Sequence, residues 1–78
     1  MPRRHRHPLT TLEIGAYTAG GRLCRRWAAE RLSGDHHPWA LDVLAREDAQ
    51  VLCALGARRY WHWFDRGWAD AVAAGVLA

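Results

Sequence analysis

The apolar residues between positions 11 and 32 recur at the spacing of an α-helix. At about 100° per residue they fall within one arc, which contains Leu12, Ala16, Tyr17, Gly20, Leu23, Cys24 and Trp27. Thr10 and Glu13 match the capping box S/T-x-x-E, in which each side chain accepts a hydrogen bond from the other residue's backbone amide. The pattern therefore predicts a first helix over residues 11–32. Residues 1–9 lack apolar periodicity, and we expect them to form a mobile basic arm.

Two adjacent glycines, Gly20 and Gly21, interrupt this first helix. Each costs about 1 kcal/mol relative to alanine in a helix interior. Either another helix approaches closely at the pair, or the helix breaks there. Because the apolar face keeps the same phase on both sides of the pair, we expect close helix packing.

A second helix is predicted to follow a short turn. Residues 33–35 are turn formers, and Pro38, which has no amide hydrogen, suits the first position of a helix over 38–46. If this helix continued unbroken, Glu47 and Asp48 would project into its apolar face. We therefore expect a bend at its end, with Asp48 capping the third helix.

The apolar face of residues 48–66 changes sides at Gly56. We therefore expect one helix over 48–66 that bends near Gly56. The alternative is a central helix that buries one face in its first half and the other face in its second half. Gly67 is expected to end or bend this helix, and a terminal helix follows over 68–77. Together these segments predict an all-α, compact three- to four-helix domain over residues 10–78.

The small size of the chain limits how much core it can bury. A single domain of 78 residues buries only about 60–65% of the surface that its unfolded chain exposes. Domains of this size often need a metal, an oligomer or a partner to reach stability. The formal charge of +3 favours nucleic acid or acidic protein surfaces weakly.

The sequence carries no pattern of an export signal or a membrane span. We therefore expect a cytoplasmic protein in which Cys24 and Cys53 stay reduced. Zinc sites usually contain close ligand pairs such as C-x₂-C or H-x₃₋₅-H, which are absent here. The adjacent His36 and His37 are expected to point apart, so we predict no metal-binding residues. A site that combines Cys24, Cys53 and one of these histidines is the alternative.

Enzymatic activity is not expected either. Nucleophilic catalysis needs a nucleophile, a base and an orienting group within hydrogen-bond reach, and no such set stands out. His62 and Asp65 lie three residues apart, and we expect them to form a surface hydrogen bond. Phosphate-binding loops and paired buried carboxylates are also missing. We therefore predict no catalytic residues, no cofactor and no small-molecule substrate.

The aromatic segment is the most distinctive feature of the sequence. It comprises Tyr60, Trp61, Trp63, Phe64 and Trp68. These rings span an arc wider than the stripe of about 100° that usually faces a core. One interpretation places all of them in the core, because large aromatic residues dominate small cores. The other places Trp61, Phe64 and Trp68 inward.

In that second interpretation the remaining residues bind a protein partner or a second copy of the chain. The docking residues are then Arg59, Tyr60, Trp63 and Arg66, since Trp, Tyr and Arg are the residue types enriched at binding hot spots. We favour this hypothesis of a non-enzymatic interaction module, a small regulator, inhibitor or accessory subunit. A Trp-rich helix that lies on a membrane surface is disfavoured by Asp65 and by the short apolar face.

A small DNA-binding regulator is the alternative function. Its basic arm would contribute Arg3, Arg4 and Arg6 to phosphate or minor-groove contacts. The first helix would add a second basic face formed by Arg22, Arg25 and Arg26. Against this hypothesis, no set of side chains resembles a recognition helix that follows a glycine-containing turn.

Overall fold

The computed structural model describes residues 9–76, which fold into four helices. They are α1 (Thr11–Ala29), α2 (His36–Val43), α3 (Arg46–Leu55) and α4 (Ala57–Ala73). No strand occurs in the described part of the chain, so the predicted all-α domain of three to four helices is confirmed. None of the described helices is both long and apolar enough to span a membrane. The predicted arm, apart from Leu9, lies outside the described residues.

The capping box predicted at the start of α1 is present. The Thr10 hydroxyl accepts a hydrogen bond from the Glu13 amide at 3.1 Å, and the Glu13 carboxylate accepts one from the Thr10 amide at 2.9 Å. The helix ends at Ala29, three residues before the predicted end. Arg31 adopts a left-handed conformation with φ 55°, and the Leu32 amide bonds back to the Trp27 carbonyl at 3.1 Å. This closes a Schellman motif.

Helix α2 starts two residues earlier than predicted, because Asp35 caps it. The Asp35 carboxylate accepts a hydrogen bond from the His37 amide at 3.1 Å. His36 and His37 therefore occupy the first two helical positions, and Pro38 occupies the third rather than the first. At this position too, proline loses no intrahelical hydrogen bond.

Helix α3 also starts earlier than predicted. Ala45 is its N-cap residue and makes no side-chain capping bond, so the prediction that Asp48 caps this helix is wrong. Asp48 instead lies in the first turn, where its carboxylate accepts a hydrogen bond from Arg22 of α1. The ion pair across the two helices thus replaces the predicted cap.

The segment from 46 to 73 forms two helices rather than one bent helix. Gly56 has φ 88° and ψ 150°, and this conformation ends α3. Only glycine adopts such a positive φ without strain. The predicted end at Gly67 and the separate helix over 68–77 are wrong, since α4 continues without interruption to Ala73. Gly67 serves helix packing and does not terminate the helix.

Gly20 of α1 and Gly67 of α4 form the point where the two helices cross. A Cβ atom added to Gly20 would lie 1.9 Å from the carbonyl oxygen of Phe64, and one added to Gly67 would lie 1.9 Å from that of Tyr17. The close packing predicted at Gly20 is therefore confirmed. Gly21 is different, because its added Cβ would meet its nearest atom at 3.6 Å, an ordinary contact.

The core lies mainly between α1 and α4. Its buried residues are Ala16, Ala19, Leu23, Cys24, Trp27, Ala40, Tyr60, Phe64, Trp68 and Ala71. Helix α2 contributes only Ala40 to this set, and α3 contributes none. Val51, Leu52 and Leu55 of α3 pack against the core while remaining partly exposed. Helices α2 and α3 are therefore attached to a framework that α1 and α4 build.

Replacing Gly20 with alanine should strongly destabilise the fold. The added methyl group meets backbone, which has no alternative rotamer, so α1 and α4 must separate. We expect a loss of about 3 kcal/mol or more in the free energy of unfolding, measured by urea denaturation. Gly21→Ala is the matched control and should raise stability by up to about 1 kcal/mol through helix propensity. Equal stability of the two variants would contradict the crossing.

Candidate functional site

The predicted docking residues are divided between the core and the surface. Tyr60 is fully buried, with 0% of its surface exposed, so its prediction as a docking residue is wrong. Its ring lies on the core side of α4, 5.2 Å from that of Trp61 between centroids. Arg59 and Arg66 are exposed and Trp63 is partly exposed. We name Arg59, Trp63 and Arg66 the tryptophan–arginine stripe.

The Glu13 carboxylate fixes one end of the tryptophan–arginine stripe. Its Oε2 atom accepts hydrogen bonds from the Trp63 indole nitrogen at 3.1 Å and from the Arg59 guanidinium at 2.9 Å. Its Oε1 atom is bound by the amide and hydroxyl of Thr10. The pKa of Glu13 is lowered to about 2, mainly by the hydrogen bond from the Thr10 backbone amide and next by the hydrogen bond from the Arg59 side chain. The carboxylate is therefore a charged anchor that holds both side chains.

A second polar contact joins the helices beyond the crossing. The Tyr17 hydroxyl donates a hydrogen bond to the Asp70 carboxylate, and this bond raises the pKa of Tyr17. Arg66 lies close enough to lower that pKa by its charge. Within residues 9–76, no carboxylate lies at ion-pair distance from Arg66. Its guanidinium therefore makes no ion pair within this part of the chain.

The other aromatic residues agree only in part with the inward orientation predicted for them. Phe64 and Trp68 are buried, at 0% and 9% exposure. Trp61 is partly exposed, because its ring covers a histidine rather than the centre of the core. The indole of Trp61 stacks on the His37 imidazole with centroids 4.3 Å apart.

A cluster of His36, His37 and Asp65 lies where α2 meets α4. The Nε2 atoms of His36 and His37 lie 3.3 and 2.7 Å from the same Asp65 Oδ1 atom. The expectation that the two histidines point apart is therefore wrong. Asp65 pairs with these two histidines, so the predicted hydrogen bond between His62 and Asp65 is wrong. We name these three residues the His–His–Asp cluster.

Two indoles hold the histidine rings of this cluster. The His36 ring stacks on Trp68 with a centroid distance of 3.7 Å and an interplanar angle of 9°. The His37 ring stacks on Trp61 at 23°. The cluster is nevertheless open to solvent, since the side chains of His36, His37 and Asp65 are 25%, 35% and 47% exposed.

The cysteine-based metal site considered as an alternative does not form. Cys24 is buried, which raises the pKa of its thiol, whereas Cys53 is exposed on α3. Among the residues from 9 to 76, the His–His–Asp cluster is the one group of three side chains with ligand atoms close enough to share an ion. Neither cysteine belongs to it.

The arginines predicted to contact nucleic acid are mostly paired or lie outside the described residues. Arg3, Arg4 and Arg6 belong to the latter group. Arg22 binds Asp48, and Arg26 binds Glu30 at 2.8 Å. Arg25 is exposed, and no carboxylate between residues 9 and 76 pairs with it. The basic face predicted on α1 is thus largely neutralised.

The positive charge of the chain comes from its first residues. Between positions 9 and 76 the sequence contains eight arginines and eight carboxylates, which leaves this part without net charge when histidine is neutral. The formal charge of +3 therefore resides in Arg3, Arg4 and Arg6. The folded part offers little of the positive field that attracts nucleic acid.

Comparison with the models of known protein families, with curated proteins and with solved structures finds no match for this chain. Its function is therefore inferred from the geometry described above.

The hydrogen bonds to Glu13 should make stability depend on acidic pH. Because folding lowers the pKa of this carboxyl from 4.5 to about 2, its stabilisation is present above pH 4.5 and is lost as the pH falls through 2. We expect Glu13→Gln to unfold more easily than the wild type at neutral pH, with a difference that disappears over this range. Glu30→Gln, at an exposed ion pair, is the control and should change little. A difference that persists at pH 2 would contradict the assignment.

Removing the Tyr60 hydroxyl should not weaken the fold. This buried oxygen has no hydrogen-bond partner within the described part of the chain, and burial raises the pKa of Tyr60 to about 12. An unsatisfied buried polar atom costs about 1–3 kcal/mol. We expect Tyr60→Phe to raise the free energy of unfolding by about 1 kcal/mol. Tyr17→Phe, which loses the bond to Asp70, should lower it. If both variants are equally destabilised, Tyr60 has a partner.

Proposed function

We propose that this chain is a non-enzymatic interaction module, a small regulator, inhibitor or accessory subunit that docks onto a larger protein through the tryptophan–arginine stripe. The observation that carries the proposal is the partial exposure and fixed orientation of the Trp63 side chain. Its ring stays partly exposed, while its indole nitrogen is held by Glu13 and arginines flank it on both sides along α4.

The stripe is preorganised for binding. Trp63 lies in the middle of α4, and the bond to Glu13 at 3.1 Å restricts its ring. The same carboxylate holds Arg59 at 2.9 Å. Side chains that are ordered before association lose less entropy when they bind. Trp and Arg are also the residue types most often found at the centres of binding hot spots.

The surroundings of the stripe define the chemistry of the partner. Leu12 and Ile14, which flank Glu13 in sequence, are 37% and 49% exposed, so α1 presents exposed apolar side chains on the helix that carries Glu13. At the end of the stripe away from Glu13, Arg66 offers a positive charge that pairs with no carboxylate within residues 9–76. We therefore expect the partner to present an apolar pocket or side chain for Trp63, next to a carboxylate that pairs with Arg66.

The non-enzymatic part of the proposal rests on the hydrogen-bond partners that the exposed nucleophilic side chains lack. Within residues 9–76, the side chains of Ser33 and Cys53 form no hydrogen bond with a histidine or a carboxylate. Both are exposed and belong to no arrangement of nucleophile, base and orienting group.

The test uses a partner identified by affinity capture and then purified. Trp63→Ala should weaken the binding of the purified partner about 30-fold, the effect of a hot-spot residue worth about 2 kcal/mol, in isothermal titration calorimetry. Arg66→Glu should weaken it as well, since it places a negative charge opposite the partner's carboxylate. Circular dichroism checks that each variant is folded.

Leu41→Ala is the matched control for this experiment, because Leu41 is an exposed apolar residue on α2 at 54% exposure. It should leave binding unchanged. Wild-type affinity in both stripe variants would contradict the proposal. Tight binding of duplex DNA with a steep salt dependence would favour the DNA-binding alternative instead.

A further inference from the structure

We propose that the His–His–Asp cluster binds a divalent transition-metal ion of the zinc class, which ties α2 to α4. The proposal is independent of the docking function. It rests on the positions of three ligand atoms, on the fixed orientation of two imidazole rings, and on the solvent access that the cluster retains.

The three ligand atoms are spaced for one ion. One ring nitrogen of His36, one ring nitrogen of His37 and a carboxylate oxygen of Asp65 all lie within 4.8 Å of one another. Zinc binds imidazole nitrogen and carboxylate oxygen at about 2.0–2.2 Å. Tetrahedral ligands at that radius are separated by about 3.3 Å, close to the 2.7 and 3.3 Å found between the imidazoles and Asp65. Small side-chain movements therefore suffice to admit an ion.

Both imidazoles already direct the ligating nitrogen at one point. Each Nε2 atom faces the same Asp65 Oδ1 atom, so the two rings compete for a single acceptor. An ion seated between these three atoms replaces both contacts to Oδ1 and accepts a lone pair from each Nε2 atom and one from the carboxylate. The imidazoles bind as neutral rings with the proton on Nδ1, and no oxidation or reduction takes place.

The orientation of the rings is set by packing rather than by the ion. Trp68 stacks on His36 at 9°, and Trp61 stacks on His37 at 23°. The Asp35 cap fixes the backbone of the first turn of α2 through its bond to the His37 amide. Ligands whose rotamers are held by packing bind metals more tightly than ligands that must be ordered on binding.

The composition and exposure of the cluster select the type of ion. Two imidazoles and one carboxylate suit Zn²⁺, Co²⁺, Ni²⁺ or Cu²⁺, whereas Mg²⁺ and Ca²⁺ prefer oxygen ligands alone. The three side chains are 25–47% exposed, which gives an ion a route from solvent. Three protein ligands also leave a fourth position for water.

An ion here would strengthen a weak attachment in the fold. Helix α2 has eight residues and buries only Ala40. A link between its first turn and Asp65 of α4 joins it to the framework of α1 and α4. Small domains commonly use a structural metal in this way.

The test is a titration of the full chain with ZnCl₂ alone, followed by calorimetry. We expect one Zn²⁺ per chain and no binding of MgCl₂. Asp65→Asn and His37→Gln should each weaken Zn²⁺ binding roughly tenfold or more. His62→Gln is the matched control, since His62 lies on α4 outside the cluster, and it should bind Zn²⁺ as the wild type does.

Two further variants keep the result unambiguous. Asp65→Asn retains the shape of a partly exposed side chain, so its circular dichroism spectrum should match the wild type even if His37→Gln fails to fold. The double variant His5→Gln, His7→Gln removes the other close pair of histidines and should bind Zn²⁺ normally. Absence of one-to-one Zn²⁺ binding, or binding that is lost in this double variant and retained in Asp65→Asn, would overturn the proposal.

Discussion

The close approach of α1 and α4 at Gly20 and Gly67 is the constraint on which the rest of the structure depends. Backbone touches backbone there, since an added Cβ atom on either glycine would lie 1.9 Å from a carbonyl oxygen of the other helix. This contact brings Glu13 to Trp63 on one side of the crossing and Trp27 to Trp68 on the other, with ring centroids 5.7 Å apart. Both functional proposals use side chains placed by that geometry.

The aromatic residues of α4 lie in three different environments rather than in one core. Tyr60 and Phe64 are sealed between the helices, Trp61 and Trp68 cover the histidines of α2, and Trp63 turns toward Glu13. Residues two positions apart on a helix point in nearly opposite directions, so Trp63 and Asp65 belong to different sides of α4. The proposed docking surface and the proposed metal cluster therefore lie on separate sides of α4.

Local signals in the sequence predicted much of the fold. The capping box of Thr10 and Glu13, the change of apolar face at Gly56 and the close packing at Gly20 were each signalled by residues close together in the sequence. Tertiary contacts decided the rest. Gly67 resembles a helix end in the sequence, and only the proximity of Tyr17 shows that it permits a crossing. The convergence of adjacent histidines on Asp65 depends likewise on how α2 sits over α4, although the capping residue Asp35 was a visible sign that the helix begins at them.

Nuclear Overhauser spectroscopy of the chain in solution tests the central claim most directly, because backbone protons at a true crossing lie close enough for strong cross-peaks. The structure predicts such peaks between the α protons of Gly20 and the α proton of Phe64, and between the α protons of Gly67 and the amide proton of Gly21. A folded chain that lacks both sets of peaks would show that α1 and α4 do not meet at these glycines, and would contradict the account.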